Sequence, residues 1–557
     1  MDDLLILILL LPLLGAVIGA LLPSDRAARI WALVASGATF LAAVAMTADF
    51  LQTGRPLRVG PEPGIPSSLS LPAIGFSISL SADSISIWLV LLTAFLTVLA
   101  IASSFESIRD RQREYYAWML ALLGAMNGVF VARDLLLFYI FFELTLVPMF
   151  FIIGIWGGPQ RRAAAGRFFL FTFTGSIFTL AAVIYLGLHA GSFGRPSFDM
   201  GDVVRYGQSL GESTRWWLLL GLLAGFAVKV PLIPLHTWLP LAHTEAPTAG
   251  SVILAGVLLK LGTYGLLRLA VPIGLVGAGD YIGPMLKLIG AICVIGILYG
   301  ALCAWVQRDI KKLVAYSSVS HLGFCVLGLV ALNDAGMQGS VLYMINHGLS
   351  TGALFLVVGM IYDRYHTRDI EELSGLARAM PRLAFFFVLF ALSSIGLPGL
   401  NGFVSEFLTV LGAFTSSKLG MGFGVLAALG VILGAVYMLH MVAKVIWGPL
   451  KVPDAHSPTD ASPGIPALSP SPGTPGEGRG EGSGSDEGRG QRSHPPRNDI
   501  NAREMAILSP IAIAVVILGL WPNPVLKSLD QPLKDLRQPA KIVQPVVNPQ
   551  PRIQNSP

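Results

Sequence analysis

Long apolar runs recur along almost the whole chain, and they constrain its fold more than any other feature of the sequence. A helix needs about 20 consecutive apolar residues to cross a hydrocarbon core about 30 Å thick. We therefore predict an all-α polytopic membrane protein with about fourteen spans, at residues 4–22, 30–50, 85–104, 115–132, 135–156, 168–190, 216–235, 251–273, 282–305, 313–332, 341–362, 383–414, 422–447 and 505–520.

The composition supports a membrane location and excludes other classes of protein. Of the 557 residues, 54% are hydrophobic and 13% are charged, whereas soluble domains carry about 25% charged residues. This is too little polar surface for a soluble enzyme, a nucleic-acid-binding protein or a disordered scaffold. Cys293, Cys303 and Cys325 stand in apolar runs without metal-ligand spacing, so we predict no disulfide framework and no redox centre in this chain.

Arginine and lysine are concentrated in alternate loops, and this asymmetry predicts the orientation. Asp2 and Asp3 occupy the place of a signal peptide's positive region, so the first run is predicted to be a retained span. By the positive-inside rule the basic loops are cytoplasmic, and an even number of spans then puts both termini outside. The basic loops carry Arg26, Arg29, Arg109, Arg111, Arg113, Arg161, Arg162, Arg167, Arg308, Lys311, Lys312, Arg364, Arg368, Arg378 and Arg382.

Two segments lie outside the apolar pattern. Residues 454–498 are rich in glycine, serine and proline and contain few large apolar residues. Such a segment cannot bury enough surface to become ordered, so we predict a disordered cytoplasmic linker. Residues 522–557 contain several prolines, and we predict an irregular extracytoplasmic tail.

Four ionisable side chains lie deep inside predicted spans: Glu143, Lys229, Lys260 and Glu406. Each costs a few kcal/mol or more at membrane depth, so each is expected to have a partner or a function. A buried carboxyl or ammonium group tends to be neutral, and a nearby opposite charge restores its charged form. A glutamate and a lysine that approach and separate therefore form a switchable proton-holding pair. The alternative is a static salt bridge that joins two helices.

Two predicted spans contain prolines in the middle, Pro231 with Pro234 in one and Pro398 in the other. Broken helices at corresponding positions in two halves of a chain indicate a transporter site. Residues 113–275 and 280–450 each contain five spans, begin on opposite sides of the membrane and carry the broken helix as the fourth span. We predict that they form an inverted pair of five-helix repeats. Two unrelated kinks are the alternative.

Two histidines, His321 and His347, lie within spans among serine, tyrosine and asparagine residues. Because histidine titrates near neutral pH, it can relay protons, although each ring could instead be structural. His236, His243 and Glu245 lie in a proline-rich loop, and we predict no metal site there.

Four segments carry a specific resemblance: KVPLIPLHTWLPLAHTEAPTAGSVILAGVLLKLGTYGLLR at 229–268, QRDIKKLVAYSSVSHLGF at 307–324, GLPGLNGFVSEFL at 396–408 and LLLFYIFFELTLVPMF at 135–150. With these the chain closely resembles the proton-conducting membrane subunits of respiratory complex I, NADH:quinone oxidoreductase. The match covers nearly all of residues 1–450 and the last predicted span.

The resemblance implies an antiporter-like fold of fourteen helices that contributes to proton translocation. It also implies that this chain holds no cofactor, and that NADH, flavin, iron–sulfur clusters and quinone belong to partner subunits. The expected partners are the antiporter-like neighbours L and N of the bacterial complex, in the inner (plasma) membrane. Carried over position by position, the residues expected to translocate protons are Glu143, Lys229, Lys260, His321, His347 and Glu406.

The resulting organisation has six parts. They are three N-terminal helices at 1–105, a first repeat at 113–275, a second repeat at 280–450, the linker at 454–498, a last helix at 501–521 and the tail at 522–557. An Mrp-type cation/proton antiporter subunit without redox coupling is the main alternative, because the same buried residues would serve both functions. A membrane-bound hydrogenase subunit is a further option.

Overall fold

The computed structural model describes residues 2–60, 70–71, 73–191, 195–277, 279, 281–453 and 499–538. Within these ranges, eleven helices are long and apolar enough to cross a membrane. The predicted linker at 454–498 and the last part of the tail, residues 539–557, lie outside the described residues.

The first three long helices are α1 (Asp3–Leu21), α2 (Asp25–Thr53) and α3 (Ser84–Ser107). Asp83 begins α3 as its N-cap, since its carboxylate accepts a hydrogen bond from the Ser86 amide. Four short strands, which the sequence did not predict, pair antiparallel between α2 and α3. They are β1 (Leu57–Val59) with β4 (Leu80–Ala82), and β2 (Ser70–Leu71) with β3 (Phe76–Ser77). We call this side of the bundle the strand face.

The next part of the chain contains the first predicted helix break and two π-helical segments that were not predicted. It comprises α4 (Gln112–Val131), α5 (Leu135–Leu144), α6 (Leu146–Trp156), α7 (Arg161–His189), α8 (Met200–Ser209), α9 (Glu212–Lys229), α10 (Trp238–Glu245), α11 (Thr248–Ile253) and α12 (Leu259–Gly265). Helix α9 ends at Lys229, so the break predicted from Pro231 and Pro234 is present. Two π-helical segments, Leu254–Leu258 and Leu266–Leu275, flank α12 and were not predicted.

The remaining helices include the second predicted break. They are α13 (Ile282–Trp305), α14 (Ile310–Val330), α15 (Asp334–Tyr365), α16 (Leu376–Ala379), α17 (Pro381–Ser394), α18 (Asn401–Thr415), α19 (Met421–Ile446), α20 (Ala502–Leu520) and α21 (Asn523–Arg537). The second predicted break separates α17 from α18. Gly396 and Gly399 have φ angles of 70° and 93° there, which glycine adopts without a steric penalty.

The tail after residue 522 begins with helix α21, so the prediction of an irregular tail is wrong for this part. Val525, Leu529 and Leu533 recur every fourth residue and are buried, which gives the helix one apolar face to pack. Pro524 lies in the first turn, where its missing N–H has no intrahelical partner to lose. The Trp88 indole donates a hydrogen bond of 2.9 Å to Ser528 Oγ and joins α21 to α3.

Three of the predicted spans are not among the eleven long apolar helices. The span at 216–235 consists of α9 and the break after it, and the span at 383–414 is divided into α17 and α18. The third, at 115–132, corresponds to α4. Proline interruption explains the second case, because it leaves two helices of 14 and 15 residues. Helix α9 has 18 residues but carries Glu212, Arg215 and Lys229, which makes it less apolar than the eleven long helices. The count of fourteen spans stays a prediction.

The centre of the bundle is formed by Thr248–Leu275, α14 and α15. In the most apolar part of each of these segments, 94%, 94% and 100% of the residues are buried. In α19 and α20, by contrast, most of the residues lie outside the core. These three central segments carry Lys260, His321 and His347, respectively. Three of the polar residues singled out from the sequence therefore lie in the most enclosed part of the molecule.

Candidate functional site

Lys260 and His347 form the first contact of the site. Lys260 lies on α12 and is fully buried, and its Nζ is 2.6 Å from His347 Nδ1 on α15. The same ammonium group donates a hydrogen bond to the carbonyl of Ala255, which lies in the π-helical turn just before α12. Within the described residues no carboxylate forms a salt bridge with Lys260. An ammonium group in contact with a ring nitrogen can pass its proton to that nitrogen.

The line continues from His347 across three helices to a buried carboxylate. The rings of His347 and His321 lie 5.5 Å apart between centroids, and His321 lies 6.0 Å from Tyr343. Tyr343 donates a hydrogen bond of 3.1 Å to Glu406 Oε1 on α18. Tyr343 and His347 are four residues apart on α15 and so point to the same side of that helix. We call Lys260, His347, His321, Tyr343 and Glu406 the central axis.

A small polar cavity adjoins the second half of the central axis. Besides four axis residues, its wall includes Asn346, Ser350 and Ser405. Its volume is about 10 Å³, which is about the space that one water molecule needs. A single water there could bridge the gaps that separate the histidine rings from the carboxylate.

A hydrogen-bonded network holds the break before α18 in place. Asn346 Nδ2 donates to the carbonyl of Asn401 at 2.6 Å and to Ser405 Oγ at 3.0 Å. In return, Asn401 Nδ2 donates to Asn346 Oδ1 at 3.2 Å. Non-helical backbone at membrane depth needs such partners. The sequence analysis missed these residues, although an asparagine next to a proline–glycine break was an available signal.

Lys229 and Glu143 were expected to form a switchable pair, and in this structure each side chain has other immediate surroundings. Lys229 Nζ donates a hydrogen bond of 3.1 Å to Thr145 Oγ1 and lies 4.3 Å from the centre of the Phe142 ring. Glu143 Oε1 is buried without a hydrogen-bond partner. Among the described residues no salt bridge joins the two side chains. Thr145, at the junction of α5 and α6, is a site residue that the sequence analysis missed.

The two parts of the site are packed together but are not connected by hydrogen bonds. In the described part of the chain, no side-chain hydrogen bond joins Lys229 to Lys260. Helices α9 and α12 nevertheless approach closely at Gly262, where an added Cβ would lie 3.0 Å from Lys229 Cβ and 2.9 Å from the Phe226 carbonyl. A small displacement of α9 would therefore be transmitted directly to the helix that carries Lys260.

Comparison with known proteins places this arrangement in a family. Residues 132–434 match the protein family described as NADH:quinone oxidoreductase/Mrp antiporter, TM. NADH-quinone oxidoreductase subunit M of Rhodobacter capsulatus is 38% identical over 541 residues, which cover 94% of each chain. NADH-ubiquinone oxidoreductase chain 4 of Marchantia polymorpha is 36% identical over 537 residues and matches 96% of this chain and 97% of its own length.

Solved structures show the same architecture. A chain of respiratory complex I from Thermus thermophilus with bound NADH superimposes with a TM-score of 0.77 at 28% identity, covering 96% of this chain and all of that one. A chain of the Mrp complex from Dietzia sp. DQ12-45-1b superimposes with a TM-score of 0.79 at 22% identity, covering 97% and 98%. At this lower identity, the second likeness concerns the fold alone.

Proposed function

The chain belongs to the membrane-subunit family shared by NADH:quinone oxidoreductases and Mrp antiporters, and from this premise we infer that it is a proton-translocating membrane-arm subunit of an NADH:quinone oxidoreductase. Relatives that match it over nearly their whole length carry that oxidoreductase's name. The Mrp alternative has weaker support, from a likeness in fold at 22% identity. The observation that carries a proton-conducting role is the buried central axis, which runs from Lys260 to Glu406 through hydrogen bonds at its two ends and ring contacts between them.

The proposed mechanism is electrostatic. A charge change in a neighbouring subunit draws Lys229 towards Glu143 or releases it to Thr145, which is its partner here. The ammonium charge of Lys229 then acts on Lys260 through the close contact of their helices. Lys260 gives a proton to His347, and the proton moves along the central axis towards Glu406. The redox chemistry, with NADH, flavin, iron–sulfur clusters and quinone, belongs to partner subunits.

The energies involved are compatible with this mechanism. Moving one charge against a membrane potential of 100 mV costs about 2.3 kcal/mol. Leaving one charge of a buried ion pair without its partner costs about 3–5 kcal/mol. The two energies are of the same order, which supports coupling a Glu143–Lys229 contact to the movement of one proton.

The membrane arrangement that we propose has fourteen spans in two inverted five-helix repeats, residues 113–275 and 280–450. The broken helices α9–α10 and α17–α18 occupy equivalent places in the two repeats, which supports this arrangement. Both termini would then lie on the extracytoplasmic side of a bacterial inner membrane. The antiporter-like subunits L and N of the complex are the proposed neighbours.

The test uses inverted vesicles from the native host, with this chain tagged for recovery. NADH-driven, quinone-dependent acidification is compared between wild type and the Glu143→Gln and Lys229→Ala variants. Lys287→Ala, which removes an exposed lysine on α13, is the matched control. Deamino-NADH–ferricyanide activity and recovery of partner subunits with the tag report assembly.

We expect both site variants to lose acidification and quinone reduction while assembly and the control variant stay at the wild-type level. Loss of the assembled complex in Glu143→Gln would instead assign that residue a structural role. If wild-type vesicles show no response to NADH and the tag recovers only antiporter subunits, the oxidoreductase assignment is wrong and the Mrp alternative replaces it.

A further inference from the structure

A second polar region lies away from the central axis, at the strand face. A cavity of about 630 Å³ extends there between the end of α2, the beginning of α3, α8 and α21. Its wall includes Arg58, Ser81 and Arg205 near the surface, and Arg268 and Tyr264 on the segment that also carries Lys260. The cavity therefore leads from the strand face towards the helix at the centre of the proposed mechanism.

The wall of this cavity contains a connected set of polar side chains. Arg268 forms a salt bridge with Asp83 and also donates a hydrogen bond of 3.3 Å to Ser86 Oγ. Ser86 Oγ lies 3.0 Å from the Tyr264 hydroxyl group, which in turn donates to the carbonyl of Phe130 at 3.0 Å. The Oγ of Ser84, another wall residue, is buried without a hydrogen-bond partner.

Tyr264 connects this set to the central axis. It lies four residues after Lys260 on α12, which corresponds to about 6 Å along the helix and to the same side of it. The rings of Phe130 and Phe138 pack against Tyr264, with centroid distances of 5.2 and 6.4 Å. The π-helical segments on both sides of α12 supply a place where this helix can change its register.

We propose that this cavity is a water-filled route through which Lys260 exchanges protons with the strand face, with Tyr264 and Ser86 as proton carriers and the Asp83–Arg268 pair as their positioning group. The proposal rests on the proposed function and adds a second connection to Lys260, separate from the one through His347. For a proton leaving Lys260, the Tyr264 hydroxyl group turns from the Phe130 carbonyl, its acceptor here, towards Ser86 Oγ. Each hydroxyl group then accepts one proton and releases its own to the next oxygen, and the last proton passes to water in the cavity.

The charge of Asp83 is constant during this transfer. Burial raises the pKa of Asp83, but the charge and hydrogen bond of Arg268, together with the Ser86 amide, lower it by more, so the net pKa lies below its ordinary value. Asp83 thus stays ionised at neutral pH and holds Arg268 against Ser86. It orients the carriers and is not itself a carrier.

The first measurement is the accessibility of Ser86 to water. Ser86→Cys is made in a background whose native cysteines are replaced by alanine and which pumps as wild type. Right-side-out and inverted vesicles are treated with a membrane-impermeant methanethiosulfonate ammonium reagent, and the labelled fraction of the tagged chain is measured. Ser104→Cys is the matched control, because Ser104 lies at the other end of α3 and also bonds a buried tyrosine, Tyr115, at 2.9 Å.

The strand face follows the second span and so lies, like the termini, on the extracytoplasmic side in the proposed arrangement. We therefore expect Ser86→Cys to react in right-side-out vesicles only, and Ser104→Cys not to react there. Absence of labelling at residue 86, or equal labelling of both variants, would overturn the water-filled route. This readout needs no pumping, so it stays informative if the proposed function fails.

The second measurement is pumping by the Tyr264→Phe variant, with Tyr115→Phe as the control that removes the same group from an equivalent tyrosine–serine pair. Losing the hydrogen-bonding hydroxyl group should slow NADH-driven acidification about fivefold or more in Tyr264→Phe, and leave Tyr115→Phe at the wild-type rate. Equal rates for the two variants in assembled complexes would refute a carrier role for Tyr264. If the wild type itself does not pump in response to NADH, the proposed function fails, and this outcome is distinct from the other two.

Discussion

Replacing Tyr343 with phenylalanine tests the central axis most directly, because the substitution removes a single oxygen atom. The Tyr343 hydroxyl group donates to Glu406 Oε1 at 3.1 Å, and the two residues are 5% and 6% exposed. Among the described residues this is the one side-chain hydrogen bond made by the Glu406 carboxylate. The variant therefore isolates the last contact of the axis.

The size of the effect follows from this hydrogen bond. A hydrogen bond to a charged group contributes about 1.5–3 kcal/mol, and each 1.36 kcal/mol corresponds to about a factor of ten in rate. If the Tyr343–Glu406 contact is made in the step that limits turnover, its loss slows proton transfer by about ten- to hundredfold. The phenyl ring keeps its packing against Phe324, so the helix contacts are preserved.

The assay is NADH-driven acidification of inverted vesicles, normalised to the amount of assembled complex. We expect Tyr343→Phe to lose at least nine-tenths of the wild-type rate, which is the lower limit of about tenfold obtained above. Tyr116→Phe is the control, since the Tyr116 hydroxyl group is buried without a hydrogen-bond partner and its removal should leave pumping unchanged. Acidification at the wild-type rate in an assembled Tyr343→Phe complex would show that protons do not reach Glu406 through Tyr343.

Three further predictions concern other parts of the structure. Thr145→Val keeps the shape of the side chain but removes the hydrogen bond to Lys229. The loss of about 1.5 kcal/mol should slow vesicle acidification by about tenfold. An unchanged rate would contradict the role of this contact. Because the pKa of Asp83 lies below its ordinary value, the stabilising charge of Asp83 is present above about pH 4 and is lost only as the pH falls through that lowered pKa. Asp83→Asn should therefore lower the rate of pumping but leave the shape of the pH–rate profile unchanged between pH 6 and 8. Glu504→Gln removes the carboxylate that pairs with Arg364 at 2.7 Å and joins α20 to α15, so this chain should unfold at a lower temperature in the purified complex, as about 3 kcal/mol less stabilisation implies. An unchanged melting temperature would contradict this.

Most of the central axis could be predicted from the sequence, because a charge in an apolar run is conspicuous. Lys260 and Glu406 were identified in this way, and His321 and His347 from the polar residues around them; the structure brings the four to one line. Tyr343 was not identified, since a tyrosine is compatible with any position in a membrane-spanning helix. Its importance depends on which hydroxyl group faces the carboxylate, and only the packing of α15 against α18 determines that.

The expected Glu143–Lys229 pair shows what could not be predicted from the sequence. Both residues were identified, yet whether they form a salt bridge depends on how α9 packs against the junction of α5 and α6. The choice of Thr145 as the partner of Lys229 depends on side-chain distances of a few ångströms. Hydropathy and charge in the sequence carry no information at that scale.

Apolar length and proline placement are local properties of the chain, and for this reason the sequence by itself determined the helical membrane fold and the two helix breaks. The contacts that build the site join residues far apart along the chain: Lys260 and His347 are separated by 87 positions, and Tyr343 and Glu406 by 63. Those contacts, the docking of α21 and the cavity at the strand face were decided only by the tertiary structure. Hydrogen bonds require distances near 3 Å, and such distances are set by the way in which many helices pack together.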